Sequence, residues 1–249
     1  MTITRRIRAE TMAAFRAFVR RRTAVFFTFF FPVIIILIFG ALVQTQPTGG
    51  GLFAQPPAYY VPGYLAVVVL FTPLSRVGSS VARHREGNRF EKLATTPLSR
   101  TEWLLAHTLV NVGIIGVASL IILGLVVTIT GATITFSWLL IPFIVLGVAL
   151  FCGFGALLGA TADSQDGVIA ASNTIALPLL FLSETFITPS LLPAWFRPAV
   201  SLSPLSYFAR GVRAATMGPV ADAYGNLLVL AVLTLLFVAV GAHALPRTD

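Results

Sequence analysis

At 249 residues, with 57% hydrophobic and only 10% charged side chains, the chain is too apolar for a soluble domain, in which about a quarter of residues carry charge. Its formal net charge of +8 does not point to nucleic acid. The cations sit in short segments that flank apolar runs, as they do on the inner side of a membrane protein. A single cysteine, Cys152, excludes an intrachain disulfide and a cysteine-only metal site. The composition predicts an all-α integral membrane protein.

Residues 1–22 carry seven arginines. Ile7, Thr11, Ala14, Phe15, Phe18 and Val19 recur between them, which predicts an N-terminal cytoplasmic amphipathic helix lying along the membrane surface. Six transmembrane helices are expected in 23–249, at Thr23–Val43, Tyr59–Val81, Leu104–Ile129, Ser137–Ala160, Gly167–Phe186 and Gly225–Leu245. Each approaches the roughly 20 apolar residues that a crossing requires. The loop Gln44–Ala58 has no charge, whereas the N-terminus and the segment 83–102 together hold twelve basic residues. Both termini are therefore expected in the cytoplasm of a multi-pass plasma-membrane protein.

Arg76 falls inside the second span. It is expected to snorkel to the cytoplasmic interface, with a polar cavity inside the bundle as the alternative. The segment that follows, 83–102, is the densest polar stretch between two apolar runs and suits contact with a soluble partner. It ends in Ser99-Arg-Thr-Glu102, a capping box that predicts a crisp start to the third span. His107 and Asn111 share one face of that span and are expected to hydrogen-bond across helices. Gly155 and Gly159 form a GxxxG pair in the fourth span, and Gly113 and Gly116 stand close together in the third. Close helix packing is expected at all four.

Residues 183–224 are too apolar for a plain loop. Ser203-Pro204 predicts a helix start with Ser203 as cap, and Gly218-Pro219 predicts its stop. Between them Leu205, Phe208 and Val212 share one face, while Tyr207, Arg210 and Arg213 share another. The segment reads as outer re-entrant or interfacial helices before the last span.

No catalytic constellation is present, since His84, His107 and His243 belong to separate segments. A P-loop needs Gly-Lys followed by Ser or Thr. The only lysine, Lys92, follows Glu91. The chain therefore has no P-loop cofactor site of its own, and an ATP-driven role would require another subunit.

Three stretches resemble the ABC-2 type transporter permeases, particularly the multidrug-exporter branch related to daunorubicin resistance. They are Arg22–Pro32 running on to Phe39-Gly40, then Arg85–Arg100 with its Glu86-Gly87 and Thr96-Pro97-Leu98-Ser99, and finally Leu192–Trp195 with Ser203–Tyr207 and Gly211–Arg213. The resemblance covers essentially the whole chain. It implies a permease subunit that is not itself an ATPase, moving an amphipathic small molecule, drug or lipid-linked substrate. ATP and magnesium would be held by a cytoplasmic ABC ATPase partner, and a second permease copy or paralogue would complete the transporter. Glu86, Gly87, Arg89, Phe90, Glu91, Lys92 and Leu93 would then form the coupling helix, with Phe90 and Leu93 as apolar anchors. Arg76, Tyr207, Arg210 and Arg213 become candidates for the translocation path or its gate. An ion-gradient-driven secondary transporter and a polysaccharide exporter of the same architecture are the alternatives.

Overall fold

The computed structural model describes residues 2–38, 55–188 and 192–246. The predicted end of the first span, Phe39–Val43, most of the loop Gln44–Ala58, and Pro189 lie outside them. Among the described residues every regular element is helical. In chain order these are α1 (Ile3–Val19), α2 (Arg22–Ile36), a 3-10 turn at Pro57–Tyr60, α3 (Val61–Glu86), α4 (Arg89–Ala94), α5 (Arg100–Thr130), α6 (Leu140–Thr161), α7 (Gln165–Phe181), α8 (Arg197–Leu202), α9 (Pro204–Met217) and α10 (Ala221–Ala244).

Among the described residues four helical stretches are long and apolar enough to cross a membrane: Pro57–Glu86, Arg100–Thr130, Leu140–Thr161 and Ala221–Ala244. The fifth predicted span is shorter than expected. Helix α7 has 17 residues, about 26 Å at a rise of 1.5 Å per residue, and it stops at Phe181 rather than Phe186. The hydroxyls of Ser183 and Thr185 both donate to the Leu180 carbonyl. They occupy an acceptor that a further helical turn would use.

The bundle is organised around α3, whose apolar window is 72% buried, against 22% for α10. Helix α3 packs on α5, α6, α7 and α9, while α10 packs mainly on α6 and α9. Leu228, Val232 and Leu235 of α10, like Leu109, Val117 and Leu120 of α5, are exposed and suited to lipid.

Glycine sets how closely α3 and α6 approach. A Cβ on Gly155 would lie 2.5 Å from the Leu74 carbonyl oxygen, and one on Gly159 would lie 2.7 Å from Val81 Cβ. Gly153, on another face of α6, meets the Phe237 backbone of α10. Gly113 and Gly116 correct the expectation for the third span, because a Cβ on either would touch nothing within 4 Å. Spacing alone does not say which face of a helix meets a neighbour.

Helix α5 begins as its capping box predicts. Ser99 Oγ accepts from the Glu102 amide and Glu102 Oε2 accepts from the Ser99 amide at 2.9 Å. The same carboxylate receives Arg6 of α1 through Nε at 3.1 Å and through Nη2. That bond pushes the Arg6 guanidinium above its ordinary value, so it stays charged. Further along, Glu10 Oε1 lies 3.4 Å from His107 Nε2, and Phe18 packs with Val110 and Ile114. These pairs advance in the same direction on both helices, so α1 runs beside the first third of α5. With 31 residues, α5 is about 46 Å long, some 16 Å more than a hydrocarbon core. That surplus gives α1 a surface to pack on.

Two expectations follow. Gly155→Ala should cost about 1–3 kcal/mol in thermal unfolding in detergent, whereas Gly113→Ala should stay within about 0.5 kcal/mol of the native chain. Removing Arg6 or Glu102 as alanine should each speed tryptic cleavage at Arg16 and Arg20. Both should lower the unfolding temperature, Glu102→Ala because it also removes a helix cap worth about 1 kcal/mol, and Arg6→Ala because it leaves a buried carboxylate without its partner.

Candidate functional site

The polar segment between α3 and α5 folds into an elbow. Helix α3 ends at Gly87, and Asn88 takes φ 49° and ψ 32°. This left-handed conformation suits asparagine better than a β-branched residue. It reverses the chain into the short helix α4, and Thr95 and Thr96 hydroxyls accept the role of closing it by donating to the Lys92 and Leu93 carbonyls.

The elbow is clamped to the bundle from two sides. Phe90 is buried, its ring 5.5 Å from that of His84 and 5.6 Å from that of Trp103. It holds α4 against α3 and α5, and so does not serve as an outward anchor. Leu93 is half-buried against the same core. On the other side Arg85 Nη1 donates to the carbonyls of Gly159 at 3.2 Å and Ala162 at 2.9 Å, at the C-terminal end of α6. Glu86 Oε1 accepts from the Gln165 amide at 2.8 Å, at the start of α7. An acid at a helix N-terminus and a base at a C-terminus each sit favourably in the helix dipole.

What the elbow offers outward is Arg89, Glu91 and Lys92, all exposed, with Gly87 at the bend. The sequence reading grouped Glu86 with them, and its carboxylate is already engaged. Arg85 carried no sequence signal, because its acceptors lie 74 and 77 residues away.

At the opposite end of the bundle, α9 buries Leu205, Phe208 and Val212 completely. Ser203 and Pro204 stand at its start as expected, but the Ser203 hydroxyl makes no capping bond. Tyr207, Arg210 and Arg213 are half-buried. Arg210 forms an ion pair with Glu184, and the Tyr207 ring is 5.8 Å from its guanidinium. Arg213 Nη2 donates to the Glu184 carbonyl at 2.6 Å, and its guanidinium stacks 3.9 Å from the Tyr59 ring centroid. One acidic residue in the turn after α7 therefore gathers two arginines of α9 and, through Arg213, the 3-10 turn before α3.

Arg76 turns toward α1 and α5. Its guanidinium lies 4.3 Å from the Phe18 ring centroid and its Nη1 is 3.4 Å from Asn111 Oδ1. A space of about 300 Å³ opens between α1, α3 and α5, and Arg76 lines it with Arg21, Ser80, Arg83 and Arg89. Asn111 and His107 both reach across helices, to Arg76 and Glu10.

Several curated relatives are similar to this chain. A daunorubicin resistance ABC transporter permease protein, DrrB1 of Streptomyces coeruleorubidus, is 27% identical over 191 residues, or 73% of this chain and 64% of the relative. The match thus spans less than two thirds of that relative's length. The inner membrane transport permease YadH of Escherichia coli K12 is 27% identical over 207 residues, 79% of this chain and 78% of the relative. A probable doxorubicin resistance ABC transporter permease protein, DrrC of Mycobacterium tuberculosis, is 24% identical over 205 residues, 80% of this chain and 71% of the relative. Residues 5–217, from the connector helix through the last turn of α9, match the model of the ABC-2 type transporter, and the chain belongs to that family.

Proposed function

We propose that this chain is the permease subunit of an ATP-powered exporter, with the elbow as the surface that receives a separate ATPase. The observation that carries the reading is a short helix packed through Phe90 on α3 and α5, next to a last turn of α3 that is bonded to α6 and α7, while its charged face stays outside. A force applied to Arg89, Glu91 or Lys92 has nowhere to dissipate locally. Phe90 passes it to α3 and α5, and Arg85 and Glu86 pass it to α6 and α7. Mixed charge on the exposed face suits recognition by a folded partner.

In this reading the basic end of the bundle faces the cytoplasm and α9 caps the outer side. The segments that the sequence marks as spans one and five complete a six-span half-transporter, and a second copy or paralogue supplies the other half. ATP and magnesium belong to the partner. The printed names of two relatives, daunorubicin and doxorubicin resistance permeases, favour an amphipathic small molecule as substrate. Tyr207, Arg210 and Arg213 would act as an outer gate whose closed form is held by Glu184. An ion-gradient mechanism is disfavoured because, among the described residues, the buried carboxylates Glu102 and Glu184 are each already engaged by an arginine.

The test is co-purification with co-expressed P-loop ABC ATPases, comparing the native protein with Glu91→Arg plus Lys92→Glu. Both side chains are exposed, so the unfolding temperature should be unchanged. Capture of the ATPase and permease-stimulated ATP hydrolysis should fall about tenfold or more, the effect of about 1.4 kcal/mol at an interface. Retention of both activities by the variant would remove the elbow as the docking surface. Failure of any ATPase to associate with the native chain would overturn the exporter assignment itself.

A further inference from the structure

The cavity beside Arg76 has a composition that neither packing nor coupling to an ATPase accounts for. Four arginines line it, Arg21 from the α1–α2 turn, Arg76 and Arg83 from α3, and Arg89 from α4. The other titratable groups on its walls are Glu10, His84 and His107. Glu10 is drawn to His107 at 3.4 Å. His84 Nδ1 is 2.7 Å from the Ser80 carbonyl. Among the described residues none of the four arginines makes an ion pair.

Two further features separate this space from a packing defect. First, the wall contributed by α1 and α2 is built from Ala13, Ala14, Ala17 and Ala24, so small side chains keep the volume open. Second, Arg76 points into it while its nearest neighbours, the Phe18 ring and the Asn111 carboxamide, are neutral. An unpaired guanidinium inside a membrane bundle is costly unless an anion comes to it. At about 300 Å³ the space is at the lower end of ligand pockets, and arginine is the residue best matched to phosphate oxygens.

A second cavity lies across the same helix. It is an apolar groove of about 790 Å³ between α1, α2 and α5, lined by Phe15, Val25, Phe29, Leu109 and Val117 among others. Phe18 lines both spaces. A ligand that places a phosphate among the arginines has an adjoining path for a hydrocarbon chain.

We infer that the space bounded by Arg21, Arg76, Arg83 and Arg89 binds the phosphate headgroup of an anionic membrane phospholipid, with an acyl chain in the groove beyond Phe18. The lipid supplies the negative charge that the arginines lack and fills the gap between α1 and α3. It becomes part of the seat on which α1 rests against the elbow. The site's chemistry does not depend on what the transporter moves.

The experiment uses the full chain purified in a non-ionic detergent, with thermal unfolding followed during titration of three probes. These are dihexanoyl phosphatidylglycerol, dihexanoyl phosphatidylcholine and inorganic phosphate. Phosphatidylglycerol at saturation should raise the unfolding temperature by about 5 °C, and the other two should not. Arg83→Gln with Arg89→Gln, at the rim of the cavity, should raise the half-saturating concentration about tenfold. Arg5→Gln with Arg16→Gln, an equal loss of charge from exposed positions outside both cavities, should leave it within about twofold, the range of a weakly screened surface effect. Arg76→Gln adds the buried contact if that variant folds, and the rim pair tests the site if it does not. An equal shift with inorganic phosphate would replace the lipid by a free anion. An equal shift with phosphatidylcholine, or an unchanged response in the rim variant, would overturn the site.

Discussion

Where α6 crosses α3, backbone meets backbone, and the side-chain-free faces of Gly78, Gly155 and Gly159 permit it. In lipid, apolar surface gains little by leaving one apolar neighbour for another, so close van der Waals approach carries the association of helices. The crossing has a second effect at the basic end. It brings the last turn of α3 over the turn between α6 and α7, within reach of carbonyls that α6 leaves free and an amide that α7 leaves free. Arg85 and Glu86 fill those two needs. A larger residue at Gly155 or Gly159 would therefore act on the elbow as well as on the core, because the clamp depends on the separation of the helices.

Charge in the interior follows one pattern with one departure. Glu102 is matched by Arg6, and Glu184 by Arg210, each carboxylate being nearly inaccessible. Arg213 has a carbonyl and an aromatic face. In every case the partner lies on a different helix, so neutralising the charge also fixes one element on another. Arg76 departs from this, since among the described residues it has an aromatic ring and a carboxamide beside it and no carboxylate in an ion pair. The same logic that makes the pairs structural makes the unpaired group a receiver.

Much of this was legible in the sequence wherever the determining partners are neighbours in the chain. The capping box at Ser99 and Glu102 is complete within four residues, and both of its bonds are formed. The buried stripe Leu205, Phe208 and Val212 follows from helical spacing alone. Readings failed where a side chain's partner is remote. Gly155 and Gly113 look alike as sequence, yet only one meets a neighbour. Phe90 looks like an anchor for a partner in a polar segment, and its ring turns inward because Trp103 and His84 offer a closer aromatic surface. The neighbours of Arg76 were equally out of sight, because Phe18 and Asn111 come from two other helices. The elbow was thus located by composition, while its working face could be resolved only by the fold.

The two ends of the molecule are connected by a single element. Helix α3 receives Arg213 at Tyr59, in the turn that leads into it, and delivers Arg85 and Glu86 to α6 and α7 at its other end. Between these points Pro73 interrupts the backbone ladder, and a proline within a membrane helix is a common place for bending. The glycine crossing holds the part of α3 after Pro73 on α6, and before Pro73 the helix packs on α6 at Gly147 as well as on α9. A displacement of the elbow is then carried rigidly by the part after Pro73 and reaches the Glu184 cluster through a bend at Pro73. Nothing in this path requires a long-range network of polar contacts, because one buried helix with a defined weak point is sufficient to join the elbow to the Glu184 cluster.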